Sequence, residues 1–305
     1  MRKLKINFFE FWGHFEEKNN WIWNNLSVYY DLELSNEPDI IFYSVWGNPM
    51  FTNGQTPEDR LKLVEKNPNC IKVFYSPENI RPNFDECDIS LTFDYSDNPK
   101  NIRLPYYCMC GKNVVFSEPF IDLNLLKTNI KQSTIKTKFC CVIISNPHAV
   151  VRNEFFQKLS KYKKVDSAGN HLNNIGYNIG GSVTDKLNFI KDYKFVISFE
   201  NNENPGYTTE KIVEAMYVSS IPIYWGNPLV YNDFNTESFI NTHEFENMDW
   251  VIAKIIEIDN NEDLYNEIQK KPNLINDNVQ DFQNFNILFG DLKDKIEELL
   301  IERNL

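Results

Sequence analysis

Lys211 and Arg152 each stand near the start of a helix-forming segment, where the helix macrodipole is positive and disfavours a cation. Lys211 belongs to FENNENPGYTTEKIVEAMYVSSIPIYWG, residues 199–226, and Arg152 to NPHAVVRNEFFQKLSKY. A solvated lysine that tolerates a few tenths of a kcal/mol explains one such position. Two of them, each just after an apolar run, point instead to a shared anion. A diphosphate fits: unsatisfied N–H groups at both helix starts and two cations would hold it without a metal. Glu210, next to Lys211, is ordinary in a first turn, and its functional reading is a carboxylate that accepts hydrogen bonds from sugar hydroxyls. Glu200, Asn201 and Tyr207 share the same loop and are expected to face the same crevice.

Glu78 is the third candidate, in FYSPENIRPNFDECD after the apolar run CIKVFYS. A carboxylate placed after a buried strand can serve as a general base, and it can equally be a turn glutamate. His14, His148, His171 and His243 show no pairing at metal-ligand spacing, and no Asp-x-Asp occurs at a strand end, so no divalent-metal site is expected. Neither GxGxxG nor GxxxxGK[ST] is present, which leaves the usual dinucleotide and P-loop sites unsupported. Trp12, Trp46 and Phe51 lie near expected strand ends, with Trp46 the candidate platform for a sugar ring.

The elements that must position these residues read as α/β. Strand-length apolar runs recur as KLKINFFEFW, PDIIFYSVW, CIKVFYS, DISLTF, KFCCVIIS, KFVISF and IPIYW. Helical patterns fall between several of them: TPEDRLKLVEK, with Thr56 as cap and Pro57 at the first position, then VRNEFFQKLSKY, SVTDKLNFIKDY and TTEKIVEAMYVS. Continuous Val/Ile/Phe strands alternating with helices indicate parallel sheets covered on both faces. In such sheets ligands bind in the loops at the carboxyl ends of strands, which is where the candidate residues stand. In the helix opened by Thr209 the expected apolar stripe is Ile212, Ala215, Met216 and Ser219. A polar stretch between about Tyr107 and Thr137 separates two alternating series. The expected organisation is therefore residues 1–130, residues 131–285 and a C-terminal helix at 286–305.

At 305 residues the chain has room for two ordinary domains. Lys+Arg number 31 against 43 Asp+Glu, a net charge of −12, which argues against nucleic acid as a partner and against attachment to an anionic membrane. No apolar run approaches the roughly 18–20 residues of a membrane span. The cysteines (Cys70, Cys87, Cys108, Cys110, Cys140, Cys141) lack CxxC spacing and read as reduced core thiols. The expected location is therefore the cytoplasm, with peripheral attachment to the inner face of the membrane left open.

F-E-N-N-x4-Y-T-T-E-K followed by I-P-I-Y-W-G resembles the signature of the α-1,3-fucosyltransferases, which reads close to F-E-N-S-x4-Y-V-T-E-K and P-[VI]-Y-W-G. FYSPENIRPNF, LPYY and VRNEFFQKLSKYKKVDSAG are similar to further segments of that family in the same order, so the resemblance runs from about residue 70 to 230. Asn202 and Thr208 are mild departures. The acidic end DLKDKIEELLIERNL differs from the heptad repeats and basic tail of bacterial relatives. The resemblance implies a GT-B architecture, with two Rossmann-like domains facing across a cleft. It implies inverting transfer of L-fucose from GDP-β-L-fucose to O3 of N-acetylglucosamine, as in Lewis-type antigen and lipopolysaccharide synthesis. GDP-fucose would be a substrate, and no cofactor is implied. Carried over by position, Glu78 would be the general base, Arg152 and Lys211 would hold the diphosphate, and Asn201, Tyr207 and Glu210 would contact phosphate, ribose or fucose. A GT-B transferase for another nucleotide sugar and a non-catalytic glycan-binding protein on the same fold stay open at this point.

Overall fold

The computed structural model describes residues 1–13, 15–46, 57–110, 121, 126, 135–275 and 285–305, with side chains in the last segment from residue 290. His14, Phe51 and Thr56 lie outside the described residues. The chain divides into two compact units.

The first unit is built on Met1–Met109. Its elements are β1 (Arg2–Phe9), α1 (Trp21–Leu26), β2 (Tyr30–Leu34), β3 (Ile40–Tyr43), α2 (Pro57–Lys66), β4 (Ile71–Tyr75), β5 (Ile89–Thr92) and β6 (Asn101–Arg103). The six strands form one parallel sheet in the order β2-β1-β3-β4-β5-β6. Every residue of β3 and β5, and all but Lys72 of β4, is buried, as continuous β-branched and aromatic runs demand when both faces are covered. Pairing of Ile6 with Ile40 and Phe8 with Phe42 sets the register, and the two phenylalanine rings stack at 5.5 Å.

The second unit begins its sheet with β7 (Lys138–Ile143) and continues through α3 (Val150–Leu159), β8 (Val165–Ala168), α4 (Val183–Ile190), β9 (Tyr193–Phe199), α5 (Glu210–Tyr217), β10 (Ile221–Trp225), β11 (Ile240–Asn241), α6 (Met248–Asp259) and α7 (Glu262–Lys270). Its sheet is also parallel, in the order β11-β10-β9-β7-β8. Phe155 of α3 packs on Phe199 of β9 with ring centroids 4.7 Å apart, which closes that face of the sheet.

The last helix, α8 (Phe285–Glu302), returns to the first unit. Leu292, Ile296 and Leu300, at four-residue spacing, are buried. Tyr30 donates to Glu297 at 2.7 Å, and Arg303 meets the Asp88 carboxylate at 2.6 Å and the Cys70 carbonyl at 2.8 Å. Residues 286–305, read from sequence as a separate C-terminal helix, are thus a structural part of the N-terminal unit. All six cysteines are buried, and burial pushes the Cys140 and Cys141 thiols well above their ordinary range.

All seven expected strand runs are strands. The sequence reading omitted β2, β6, β8 and β11, which are short or carry acidic residues, and the single-and-a-half-turn α1. One detail is corrected. Ser219 is outside α5, in the left-handed region at φ 59°, and closes the helix instead of extending its apolar stripe: Ser219 and Ser220 donate to the Met216 and Ala215 carbonyls at 2.9 and 3.0 Å.

Candidate active site

Thr209, the N-cap of α5, makes no side-chain capping bond to the backbone of its helix. Its amide and hydroxyl both turn to Glu200, the first residue after β9: N–H to Oε1 and Oγ1–H to Oε2, each 2.7 Å. Lys211 joins the same carboxylate, with Nζ 3.1 Å from Glu200 Oε2 and 2.7 Å from Thr209 Oγ1. Glu210 Oε1 lies 3.5 Å from the ammonium. The cation that looked misplaced at a helix start is therefore answered first from within the chain. Glu200, which the sequence reading left as a loop neighbour, is fully buried beneath it.

These contacts set the ionisation of the cluster. Burial works against the charge on Lys211, but the Glu200 and Glu210 carboxylates outweigh it and hold the ammonium well above the ordinary lysine range. Burial pushes the Glu200 carboxyl up, and Lys211 and the Thr209 donors offset that only in part. Glu210 is also desolvated, yet Lys211 and Lys186 bring it down to about 2. Lys186, on α4, is paired with Glu214 of α5 at 2.8 Å and so carries the alternation of charge one turn farther along the helix.

The Trp-Gly that ends the motif has a steric cause. Gly226 follows β10 at φ 150°, and a Cβ there would stand 2.4 Å from Glu200 Cγ. Only glycine lets the loop after β10 cover the carboxylate. Its N–H donates to His243 Nε2 at 3.3 Å, and burial lowers the pKa of that imidazole, which favours the neutral, accepting form. Gly226→Ala is expected to lower unfolding stability by about 2–4 kcal/mol, from overpacking plus backbone strain. Denaturant unfolding checks this, and a loss below 1 kcal/mol would show that the loop can move aside.

Arg152 occupies the first turn of α3, which has no side-chain cap at Ala149. It is 3% exposed, and its Nη2 donates to Asn201 Oδ1 at 2.5 Å. Its Nε, also buried, has no hydrogen-bond partner among the described residues, a cost that an incoming acceptor would remove. Burial lowers the pKa of the guanidinium, and Glu200, Glu210 and Tyr207 oppose that effect. Tyr207 is itself buried, and its carbonyl accepts from the Tyr224 hydroxyl at 3.4 Å. Asn227 ties the preceding turn down by accepting from Gly206 N–H at 2.7 Å and donating to Thr208 Oγ1 at 3.1 Å. Arg152, Asn201, Tyr207, Glu210 and Lys211 thus share the carboxyl-end loops of β7 and β9, the site expected for an anion in an α/β sheet.

Glu78 and Trp46 belong to the first unit and are described there by themselves. Glu78 follows β4 on an exposed bend that Ser76 fixes: the Ser76 hydroxyl accepts from Glu78 N–H at 3.2 Å and donates to its carbonyl at 3.1 Å. Farther along this segment Arg81 bonds Asp94 at 2.6 Å, a tether to the end of β5 that the sequence reading did not identify. Trp46, half-buried after β3, meets Trp12 edge to face at 5.4 Å. Its main-chain N–H donates at 2.9 Å to the carbonyl of Glu10, a left-handed residue at φ 60° whose carboxylate is bonded to buried Arg60 at 2.5 Å. Arg60 in turn lies over the Tyr43 ring at 4.1 Å. No group of three or more His, Cys, Asp or Glu that could hold a metal ion occurs among the described residues, and no helix among them is long and apolar enough to cross a membrane.

Comparison with known proteins matches both halves of the chain. Residues 133–271 match the family model "Glycosyltransferase family 10 (fucosyltransferase) C-term", and residues 6–56 and 60–110 match the "Alpha-(1,3)-fucosyltransferase FucT N-terminal domain". The chain is 32% identical to the alpha-(1,3)-fucosyltransferase FucT of Helicobacter pylori over 282 residues, 83% of this chain and 56% of that protein. It is 30% identical to the 4-galactosyl-N-acetylglucosaminide 3-alpha-L-fucosyltransferase 9 of Bos taurus, over 58% of this chain and 45% of that one. The chain thus spans about half the length of these two relatives. A crystal structure of an alpha1,3-fucosyltransferase with GDP-fucose superposes with a TM-score of 0.72 at 28% identity, covering 97% of this chain and 91% of the other. Two parallel sheets flanked by helices together with this match establish a fold of the GT-B type. The chain belongs to the fucosyltransferases of glycosyltransferase family 10.

Proposed function

We propose that this chain is a 3-α-L-fucosyltransferase that moves L-fucose from GDP-β-L-fucose to O3 of N-acetylglucosamine in an N-acetyllactosamine-type glycan. The observation that carries this reading is the cluster of Lys211, Glu210 and Arg152 at two helix starts of the second unit, where Arg152 Nε is buried without an acceptor among the described residues. The relatives' names and the GDP-fucose bound to the superposed structure supply the donor's identity.

The chemistry is a single displacement. Acceptor O3 attacks C1 of fucose from the face opposite the diphosphate, the C1–O bond breaks, and both electrons leave with GDP. Glu78 takes the O3 proton as the bond forms. Arg152 and Lys211 stabilise the negative charge that gathers on the departing diphosphate, with the N–H groups at the starts of α3 and α5. Asn201, Tyr207 and Glu210 hold phosphate, ribose or fucose, and Glu210, kept ionised by its two lysines, serves as a hydrogen-bond acceptor for a sugar hydroxyl. With two cations and two helix starts in these roles, no divalent metal and no cofactor take part. The reaction belongs in the cytoplasm, where buried thiols such as Cys140 and Cys141 stay reduced.

The test is a transfer assay on a panel of glycans, with GDP-fucose against GDP-mannose and UDP-sugars, each with and without excess EDTA. Fucose transfer that keeps most of its rate in EDTA is expected. Transfer from a different donor would overturn the substrate assignment, and loss of rate restored by manganese would overturn the metal-free scheme.

The half-buried Trp12–Trp46 pair is the acceptor platform in this reading. Trp46→Ala is expected to raise the acceptor KM about tenfold and leave GDP affinity unchanged, measured by steady-state kinetics beside a GDP titration. A variant that melts early with unchanged KM would make Trp46 a packing residue.

A further inference from the structure

Glu200 has no role in the scheme above, yet it is the most enclosed charged group of the cluster. Its oxygens accept from Thr209 N–H, Thr209 Oγ1–H and Lys211 Nζ, all in or at the first turn of α5. Gly226 closes over its side chain. The lysine ammonium has three protons to donate. Thr209 Oγ1 at 2.7 Å and Glu200 Oε2 at 3.1 Å receive two of them, which leaves the third with only the looser contact to Glu210 Oε1 at 3.5 Å. The same carboxylate offsets charge: Arg152 and Lys211 bring two cations to the site, and Glu200 and Glu210 answer them with two anions. An anion arriving at Lys211 therefore competes with Glu200 for the ammonium instead of meeting an unopposed charge.

We propose that Glu200 is the positioning residue of the donor site: acting through Lys211, it aims the ammonium at the diphosphate and weakens its hold enough for GDP to leave after transfer. The proposal rests on the reading of this cluster as a nucleoside-diphosphate site. Glu200 has no part in bond making. It sets where the lysine proton points, which governs the rate of fucose departure, and how much net positive charge the product meets, which governs release. A carboxylate that merely braced the fold would have no reason to strengthen GDP binding when neutralised.

The experiment is calorimetric titration of the whole chain with GDP, beside steady-state kinetics, for the parent and Glu200→Gln. Glutamine keeps the shape and the acceptor for Thr209 N–H but removes the charge. The expected result is a split: GDP binds about three to ten times more tightly, while kcat falls by about tenfold or more. Unchanged or weaker GDP binding by the folded variant, or an unchanged kcat, overturns the proposal. Should Glu200→Gln fail to fold, Lys211→Met is compared with the double variant Glu200→Gln/Lys211→Met, which buries no unpaired charge. The double variant is expected to bind GDP at least about threefold more tightly than Lys211→Met, because the orphaned carboxylate no longer repels the diphosphate. Equal or weaker binding overturns the proposal by this route. A parent that does not bind GDP at all removes the donor-site reading itself, whereas a GDP-binding parent whose variants show no split removes only the role of Glu200.

Discussion

Glu78→Gln is expected to lower the rate of fucose transfer by roughly two to four orders of magnitude while GDP binds as it does to the parent. Glutamine keeps the length and shape of the side chain but cannot accept the O3 proton. The bend that carries Glu78 is anchored through main-chain groups, by Ser76 Oγ on the Glu78 N–H and carbonyl, and the side chain is exposed. Loss of rate without loss of structure is therefore the signature of a base, and initial rates at saturating acceptor measure it. Full activity in Glu78→Gln would sink the assignment.

Lys211→Ala should fail in a different way. Losing a desolvated, charge-assisted contact to the diphosphate is expected to weaken GDP binding by about 2–4 kcal/mol, roughly 30-fold to 1000-fold. The structure adds a second consequence. Glu200, fully buried, has Lys211 as its cationic partner at 3.1 Å, so the alanine variant strands a carboxylate in the interior. About 3 kcal/mol of stability should go with it. A melt must accompany the titration, and GDP binding is read only below the variant's transition. In one titration series Glu78→Gln should match the parent and Lys211→Ala should hardly bind. Equal binding by the two variants would break the division of labour between base and diphosphate clamp.

Much of this protein is written locally. Continuous runs such as DIIFY, IKVFY and KFVISF are too apolar to leave either face in water, and helices between them supply the cover, so two parallel sheets follow from composition and order alone. The placement of Asn201, Glu210, Lys211 and Arg152 at strand ends was legible for the same reason: polar residues that interrupt apolar runs fall where strands stop. A cation in a first turn is a local anomaly, and it marked the loop where Lys211 meets Glu200.

What answered that anomaly was decided by tertiary structure. The approach of Glu200 to Lys211 depends on Thr209 bonding the carboxylate instead of capping the backbone of its helix, and on Gly226, brought in by β10, having no side chain to collide with the carboxylate. Neither condition can be read from local periodicity, because the groups stand 9 and 26 residues apart, and Gly226 reaches the carboxylate only when β9 and β10 pair. The return of α8 to the first unit is of the same kind. Its apolar stripe at Leu292, Ile296 and Leu300 announces a buried face, but the choice of surface lies in long-range partners: Glu297 with Tyr30, and Arg303 with Asp88. By itself the sequence determined the seven long apolar strands and where the polar residues at their ends fall, since periodicity and strand ends are short-range properties. Which charges meet across those elements, and hence how much of the lysine's field is left for a diphosphate, only the packing of the tertiary structure decided, because Coulomb and hydrogen-bond energies depend on distance in space and on burial rather than on separation along the chain.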